Sequence, residues 1–123
     1  MKMAIKKILV VDDSATERHI LGEILTRQGF EVSFAESGEI GVAKARQDKP
    51  DLVVMDVVMP GLNGFQATRA ISKDPDTAQI PVLLCTTKDQ ETDKIWGMRQ
   101  GARDYLVKPV KEAELLSKIA ALS

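Results

Sequence analysis

Leu52-Val53-Val54-Met55-Asp56-Val57-Val58-Met59-Pro60-Gly61-Leu62-Asn63-Gly64 is the stretch that decides how the chain folds. A short apolar run, rich in Val, ends in a carboxylate, and a Pro/Gly/Asn loop follows. Too brief for a helix, the run reads as a strand buried on both faces. Asp56 then stands at the strand's carboxyl end, the edge of an open parallel sheet where ligands bind. A lone aspartate is equally a turn former or helix cap, so its meaning depends on what other strands bring to the same edge.

Upstream, Ile8-Leu9-Val10-Val11 is a second buried-strand run, and Asp12-Asp13 ends it. Ser14-Ala15-Thr16-Glu17 follows as a capping box that opens a helix. That helix carries Ile20, Leu21, Ile24 and Leu25 at helical spacing and stops at Gly29. Val32-Ser33-Phe34-Ala35 alternates like a strand. A helix from about Gly38 to Gln47 takes its apolar faces from Ile40, Val42, Ala43 and Ala45, and Pro50 prevents its continuation.

Downstream, Asn63-Gly64-Phe65-Gln66 offers a second capping box and a helix through about Ser72. Ile80-Pro81-Val82-Leu83-Leu84-Cys85-Thr86 reads as a fourth strand. Glu91 to Gln100 reads as a helix stopped by Gly101. Asp104-Tyr105-Leu106-Val107 is a fifth strand leading to Lys108-Pro109, and a last helix runs from about Lys111 to Leu122, with Leu115, Ile119 and Leu122 on one face. Alternating strands and helices require parallel strands and right-handed crossovers. The predicted fold is α/β: a three-layer sandwich, (βα)5, around a doubly wound parallel five-stranded sheet.

The chain's 123 residues suit one domain, 1–123, with 44% hydrophobic and 28% charged residues. Net charge is -1, without the basic excess of a nucleic-acid binder. No apolar stretch approaches the roughly 18 residues that span a bilayer. The start, Met1 to Lys7, is basic but leads into too few apolar residues for a signal peptide. The single cysteine, Cys85, excludes an internal disulfide and a multi-cysteine metal site. A cytoplasmic location is expected.

The strand ends repay reading together. Strand one ends in Asp12 and Asp13, strand three in Asp56, strand four in Thr86, strand five in Lys108. In a sheet ordered 2-1-3-4-5, as in flavodoxin-like folds, these side chains converge on one shallow pocket. Two carboxylate charges about 4 Å apart repel by roughly 4 kcal/mol at an effective dielectric near 20. Such a cluster raises a pKa, binds a cation, or both. Oxygen donors alone select a hard ion, and Mg²⁺ suits a few carboxylates, retained waters and a phosphoryl oxygen. Asp13 and Asp56 are the more direct ligands, with Asp12 in contact or acting through water.

At this point the chain resembles the response-regulator receiver domains over essentially its whole length. Val11-Asp12-Asp13-Ser14, the Met55 to Gly64 segment, Thr86 and Lys108-Pro109 carry the resemblance. It implies that Asp56 accepts a phosphoryl group from a phosphohistidine on a CheA-like sensor histidine kinase or a histidine phosphotransfer domain. It further implies Mg²⁺ held by Asp13, Asp56 and the Val58 carbonyl, phosphoryl contacts from Thr86 and Lys108, and a cis Lys108-Pro109 bond. In this family the hydroxyl at Thr86 moves towards the phosphoryl group, and the aromatic at Tyr105 turns into the space it leaves. The surface of the fourth helix, fifth strand and fifth helix then changes.

Pro60 to Arg69 and Thr86 to Lys94 resemble more closely the single-domain regulators of chemotaxis-like pathways that control type IV pilus twitching. No output domain is expected after the fifth helix. Output is then contact with an unidentified downstream protein, or removal of phosphoryl groups from the kinase as a sink, by a monomer. Val58 and Lys88 replace the amide and acid of well-known chemotaxis regulators. An apolar Val58 cannot hydrogen-bond an attacking water, so altered self-dephosphorylation is expected.

Other residues invite blander readings. His19, the only histidine, sits in an α/β chain rather than a phosphohistidine-bearing helical bundle, and reads as a solvated residue. Cys85 reads as a small buried hydrophobe. For Trp96 and Met98 core packing is favoured over a partner-binding anchor, and Lys94 is placed on an exposed output face. An FMN carrier would need a Ser/Thr/Gly-rich phosphate cradle where Asp12-Asp13 stand. An aspartyl phosphatase would need a carboxylate at Val58. A never-phosphorylated scaffold receiver remains as a third alternative.

Overall fold

The computed structural model describes residues 4–87 and 91–123, and for 91–93 the backbone alone. Lys88 therefore lies outside the described residues. In chain order the elements are β1 (Lys7–Val11), α1 (Ala15–Arg27), β2 (Glu31–Ala35), α2 (Gly38–Asp48), β3 (Leu52–Asp56), α3 (Gly64–Lys73), β4 (Val82–Thr86), α4 (Glu91–Arg99), β5 (Asp104–Val107) and α5 (Glu112–Leu122). The strands form one parallel sheet in the order β2-β1-β3-β4-β5. β1 and β3, neighbours at the switch point, pair in register from Ile8 opposite Leu52 to Val11 opposite Met55.

Successive strand side chains point to opposite faces, which splits the core in two. Ile8, Val10, Leu52, Val54, Leu83, Cys85 and Leu106 pack with Leu21, Ile24 and Leu25 of α1 and Leu115 and Ile119 of α5. Leu9, Val11, Val53, Met55, Leu84 and Tyr105 pack with Ala45 of α2 and Ala67 and Ile71 of α3. Every residue of β3 and β4 is buried. That is why these strands read as unbroken apolar runs.

The helices start where the caps stand. Ser14 accepts from the Glu17 amide at 3.3 Å, and Ser37 accepts from the Ile40 amide at 3.1 Å. At α3 the box is reciprocal: Asn63 Oδ1 accepts from the Gln66 amide at 2.9 Å, and Gln66 Oε1 from the Asn63 amide at 3.0 Å. α1 ends in a Schellman motif, with Phe30 N donating to Leu25 O and Gly29 N to Thr26 O. Gly64 opens α3 hard against β3: a Cβ there would lie 2.1 Å from the Asp56 carbonyl oxygen. Only glycine lets the helix begin so close to the strand end.

Four expectations need correction. β4 begins at Val82, not Ile80; Pro81 has no N–H to donate, and only its carbonyl serves the sheet, accepting from Val53 N. Ile20, Ile40 and Ala43 are exposed rather than core-facing. Trp96 and Met98 are exposed too, at 51% and 46%, instead of packing in the core. The reason is Gly97, which faces the sheet, where a Cβ would stand 2.5 Å from Leu84 Cδ1. Helical geometry swings its neighbours to either side. Lys94, three residues earlier on the face of Gly97, is half-buried rather than exposed.

Candidate functional site

The same alternation builds the site. Ile8 and Val10 fill one face, and Asp12 is the next residue of that row; Leu52 and Val54 are followed by Asp56, and Leu106 by Lys108. The ends of β1, β3 and β5 thus deliver two acids and a base to one spot, and Asp13 stands beside Asp12. Carboxylate oxygens of Asp12, Asp13 and Asp56 lie within 4.8 Å of one another, the one such acidic cluster among the described residues. Asp12 and Asp56 are buried, at 2% and 6% exposure, while Asp13 is exposed.

Asp12 is held at every polar atom. Its amide donates to Ala35 O at 3.1 Å, and its carbonyl accepts from Arg18 Nη1 at 2.7 Å. Oδ1 accepts from the Ser14 amide at 2.9 Å, and Oδ2 from Lys108 Nζ at 2.8 Å. Lys108 also reaches Asp56 Oδ1 at 3.4 Å. Its backbone is anchored in turn, the amide donating to Thr86 O at 2.7 Å, and the Lys108–Pro109 peptide is cis.

Burial, and after it the Asp12 charge, push the Asp56 carboxyl up to about 6, Lys108 opposing and Asp13 adding to the rise. For Lys108, burial pulls the other way, but the hydrogen bond to Asp12 and the charges of Asp56 and Asp12 hold the ammonium above its ordinary value. A third carboxylate and only one ammonium leave the ionised cluster with surplus negative charge. Its donors are all oxygen, and a hard divalent cation fits that set. Both Asp12 oxygens are engaged, so Asp13 and Asp56 have the freer lone pairs.

Thr86 is wholly buried at the end of β4, one step along the row of Leu84, and Tyr105 is buried on that same α3-side face. By strand alternation the acids lie in line with one row of side chains, and Thr86 and Tyr105 in line with the other. Val58 is 55% exposed in the loop after β3. Cys85 pairs with Asp56 across β3 and β4; burial pushes its thiol up to about 12, so it stays neutral. His19 is exposed, 3.7 Å from Glu23 and not among the groups of the cluster. Sequence reasoning missed Arg18, and it read Ser14 only as a cap. The available signal was an arginine one turn into a helix that starts beside two aspartates.

Comparisons with known proteins agree with this geometry. Residues 8–120 match the response regulator receiver domain. Protein PilH of Pseudomonas aeruginosa is 62% identical over 116 residues, 94% of this chain and 96% of that one. Several other relatives, Response regulator PleD of Caulobacter vibrioides and the phosphate regulon regulator PhoB of Pseudomonas aeruginosa among them, are longer, and the chain spans 26% and 51% of those two. Among solved structures, the chemotaxis protein CheY4 of Vibrio cholerae superposes with a TM-score of 0.91 at 32% identity, covering 98% of this chain and 100% of that one. The receiver domain of sensor histidine kinase PA1611 from Pseudomonas aeruginosa, with magnesium coordinated in its active site cleft, gives 0.88 at 28% identity, covering 97% and 98%. No helix among the described residues is long and apolar enough to cross a membrane. A match of this extent, on a chain whose β1, β3 and β5 ends meet as they do here, means that it belongs to the response regulator receiver domain family, the phosphorylation-dependent switches of two-component signalling.

Proposed function

We propose that Asp56 is the phosphoacceptor. The observation that carries this is the Asp56 carboxylate, buried at the end of β3, 3.4 Å from the Lys108 ammonium and inside the Asp12–Asp13 cluster. In the transfer a carboxylate oxygen of Asp56 forms a bond to phosphorus, and the bond from phosphorus to the donor imidazole nitrogen breaks. The imidazole leaves with its electron pair and takes up a proton. Asp13, Asp56 and the Val58 carbonyl would hold Mg²⁺, with Asp12 in contact or acting through water. Bound there, the ion supplies neutralisation of charge on the phosphoryl oxygens. Lys108, fixed by Asp12, supplies a second positive charge in place before the reaction, which is what phosphoryl transfer needs. The chain catalyses only its own phosphotransfer and dephosphorylation.

Thr86 and Tyr105 form the switch. The added charge and acceptor oxygens on Asp56 draw the Thr86 hydroxyl towards them, Tyr105 follows, and the surface bearing Lys94, Trp96, Met98 and Tyr105 changes. Donors are a sensor histidine kinase, CheA-like, or a histidine phosphotransfer domain. The output is contact with a downstream protein or drainage of phosphoryl groups from the kinase. The 62% identity to PilH supports a place in a chemotaxis-like pathway controlling type IV pilus twitching. Residues 1–123 act as a single receiver domain, monomeric and cytoplasmic.

Intact mass after incubation with Mg²⁺ and acetyl phosphate tests the reading. A gain of one phosphoryl group, absent in Asp56→Asn and on adding chelator, is expected. No gain from acetyl phosphate or from a kinase phosphohistidine would overturn it.

A further inference from the structure

We infer that Arg18 is a positioning residue that sets the cation affinity of the acidic cluster by clamping the Asp12–Asp13 peptide. The inference rests on the reading of the cluster as a cation site. Arg18 lies in the first turns of α1, half-buried, and its own amide donates to Ser14 O at 3.0 Å, so its backbone is fixed to the helix start. From there Nη1 donates to Asp12 O at 2.7 Å. That carbonyl belongs to the peptide joining Asp12 to Asp13, so its orientation fixes where the Asp13 side chain departs from the backbone.

The two acids need this to different degrees. Asp12 has its carboxylate gripped by Ser14 N and Lys108 Nζ, and would keep its place without Arg18. Asp13 is exposed, and among the described residues no hydrogen bond or ion pair holds its carboxylate. Its position depends on the peptide before it, and Arg18 is the side chain that fixes that peptide. Partners of this kind, which orient ligands without touching the ion, change metal affinity about tenfold or more when removed.

Charge alone makes the opposite prediction. A guanidinium beside a cation site repels the ion, so deleting it should tighten binding. The sign of the effect therefore separates the two roles. Calorimetric titration of the whole chain with Mg²⁺ alone is the experiment, on wild type, Arg18→Met and Arg18→Lys, with thermal melts to establish folding. Arg18→Gln repeats the comparison if Arg18→Met fails to fold. We expect Arg18→Met to weaken Mg²⁺ binding about tenfold and Arg18→Lys, which keeps a donor, to recover at least half of that loss. Equal or tighter binding by Arg18→Met, or no recovery by Arg18→Lys, overturns the inference. If wild type takes up no Mg²⁺, the cation-site reading itself falls, a result distinct from either.

Discussion

At the residue scale, Asp56 is unusual in what its neighbours do to it. Its folded-state pKa of about 6 stands above the ordinary 3.8. The folded chain therefore binds this proton more tightly than the unfolded chain, and the carboxylate opposes folding increasingly as pH rises through that window. At about 1.4 kcal/mol per unit, the full effect above pH 6 is at most about 3 kcal/mol. Asp56→Asn should thus stabilise the metal-free protein at pH 7.5 by about 1–3 kcal/mol, and the gain should fade towards pH 4. Urea denaturation in chelator measures it; equal midpoints at pH 7.5 would contradict the assigned environment. Val58→Asn puts an amide that can orient water beside the acyl phosphate, and should shorten its lifetime, followed as the decay of labelled protein. The gathering of Asp12, Asp13, Asp56 and Lys108 was legible in the sequence because each closes a strand, and strand ends share an edge. Arg18 was not, because its role depends on how far a side chain reaches back from a helix.

At the element scale, the helix and strand order was readable from period and caps alone, with boundaries displaced by a residue or two. What failed was the orientation of α4. Its Trp and Met suggested a core-facing stripe, yet Gly97 packs against Leu84 and turns both outward. A glycine contributes no hydrophobic signal, so the face it docks was invisible to a pattern of large apolar residues. The start of α3 is the least forgiving junction. Gly64→Ala would place a methyl 2.1 Å from the Asp56 carbonyl and 2.7 Å from Val57 Cα, backbone atoms that have nowhere to go. We expect a loss of about 3 kcal/mol or more in chemical denaturation. Any folded fraction should take phosphoryl groups from acetyl phosphate more slowly, because the peptide of Asp56, the proposed phosphoacceptor, must shift.

At the scale of the whole molecule, cation binding and folding are linked. Mg²⁺ at about one hundred times its dissociation constant should stabilise the chain by about 2.7 kcal/mol, read as a rise in melting temperature that chelator reverses. Ca²⁺ or Mg²⁺ leaving the melt unchanged would argue against an occupied cluster. Trp96, the single tryptophan, stands half exposed on α4 and reports on that surface alone. Its quenching by acrylamide should change on phosphorylation of wild type and stay constant in Asp56→Asn.

The sheet that separates these events is one strand thick, with the acids in line with one row of side chains and Thr86 and Tyr105 in line with the other. Such a partition lets ancestry work on the two sides independently. Under the proposed function, substitutions on the exposed side of α4 would change which partner is met while leaving the acid cluster, on the other row, untouched.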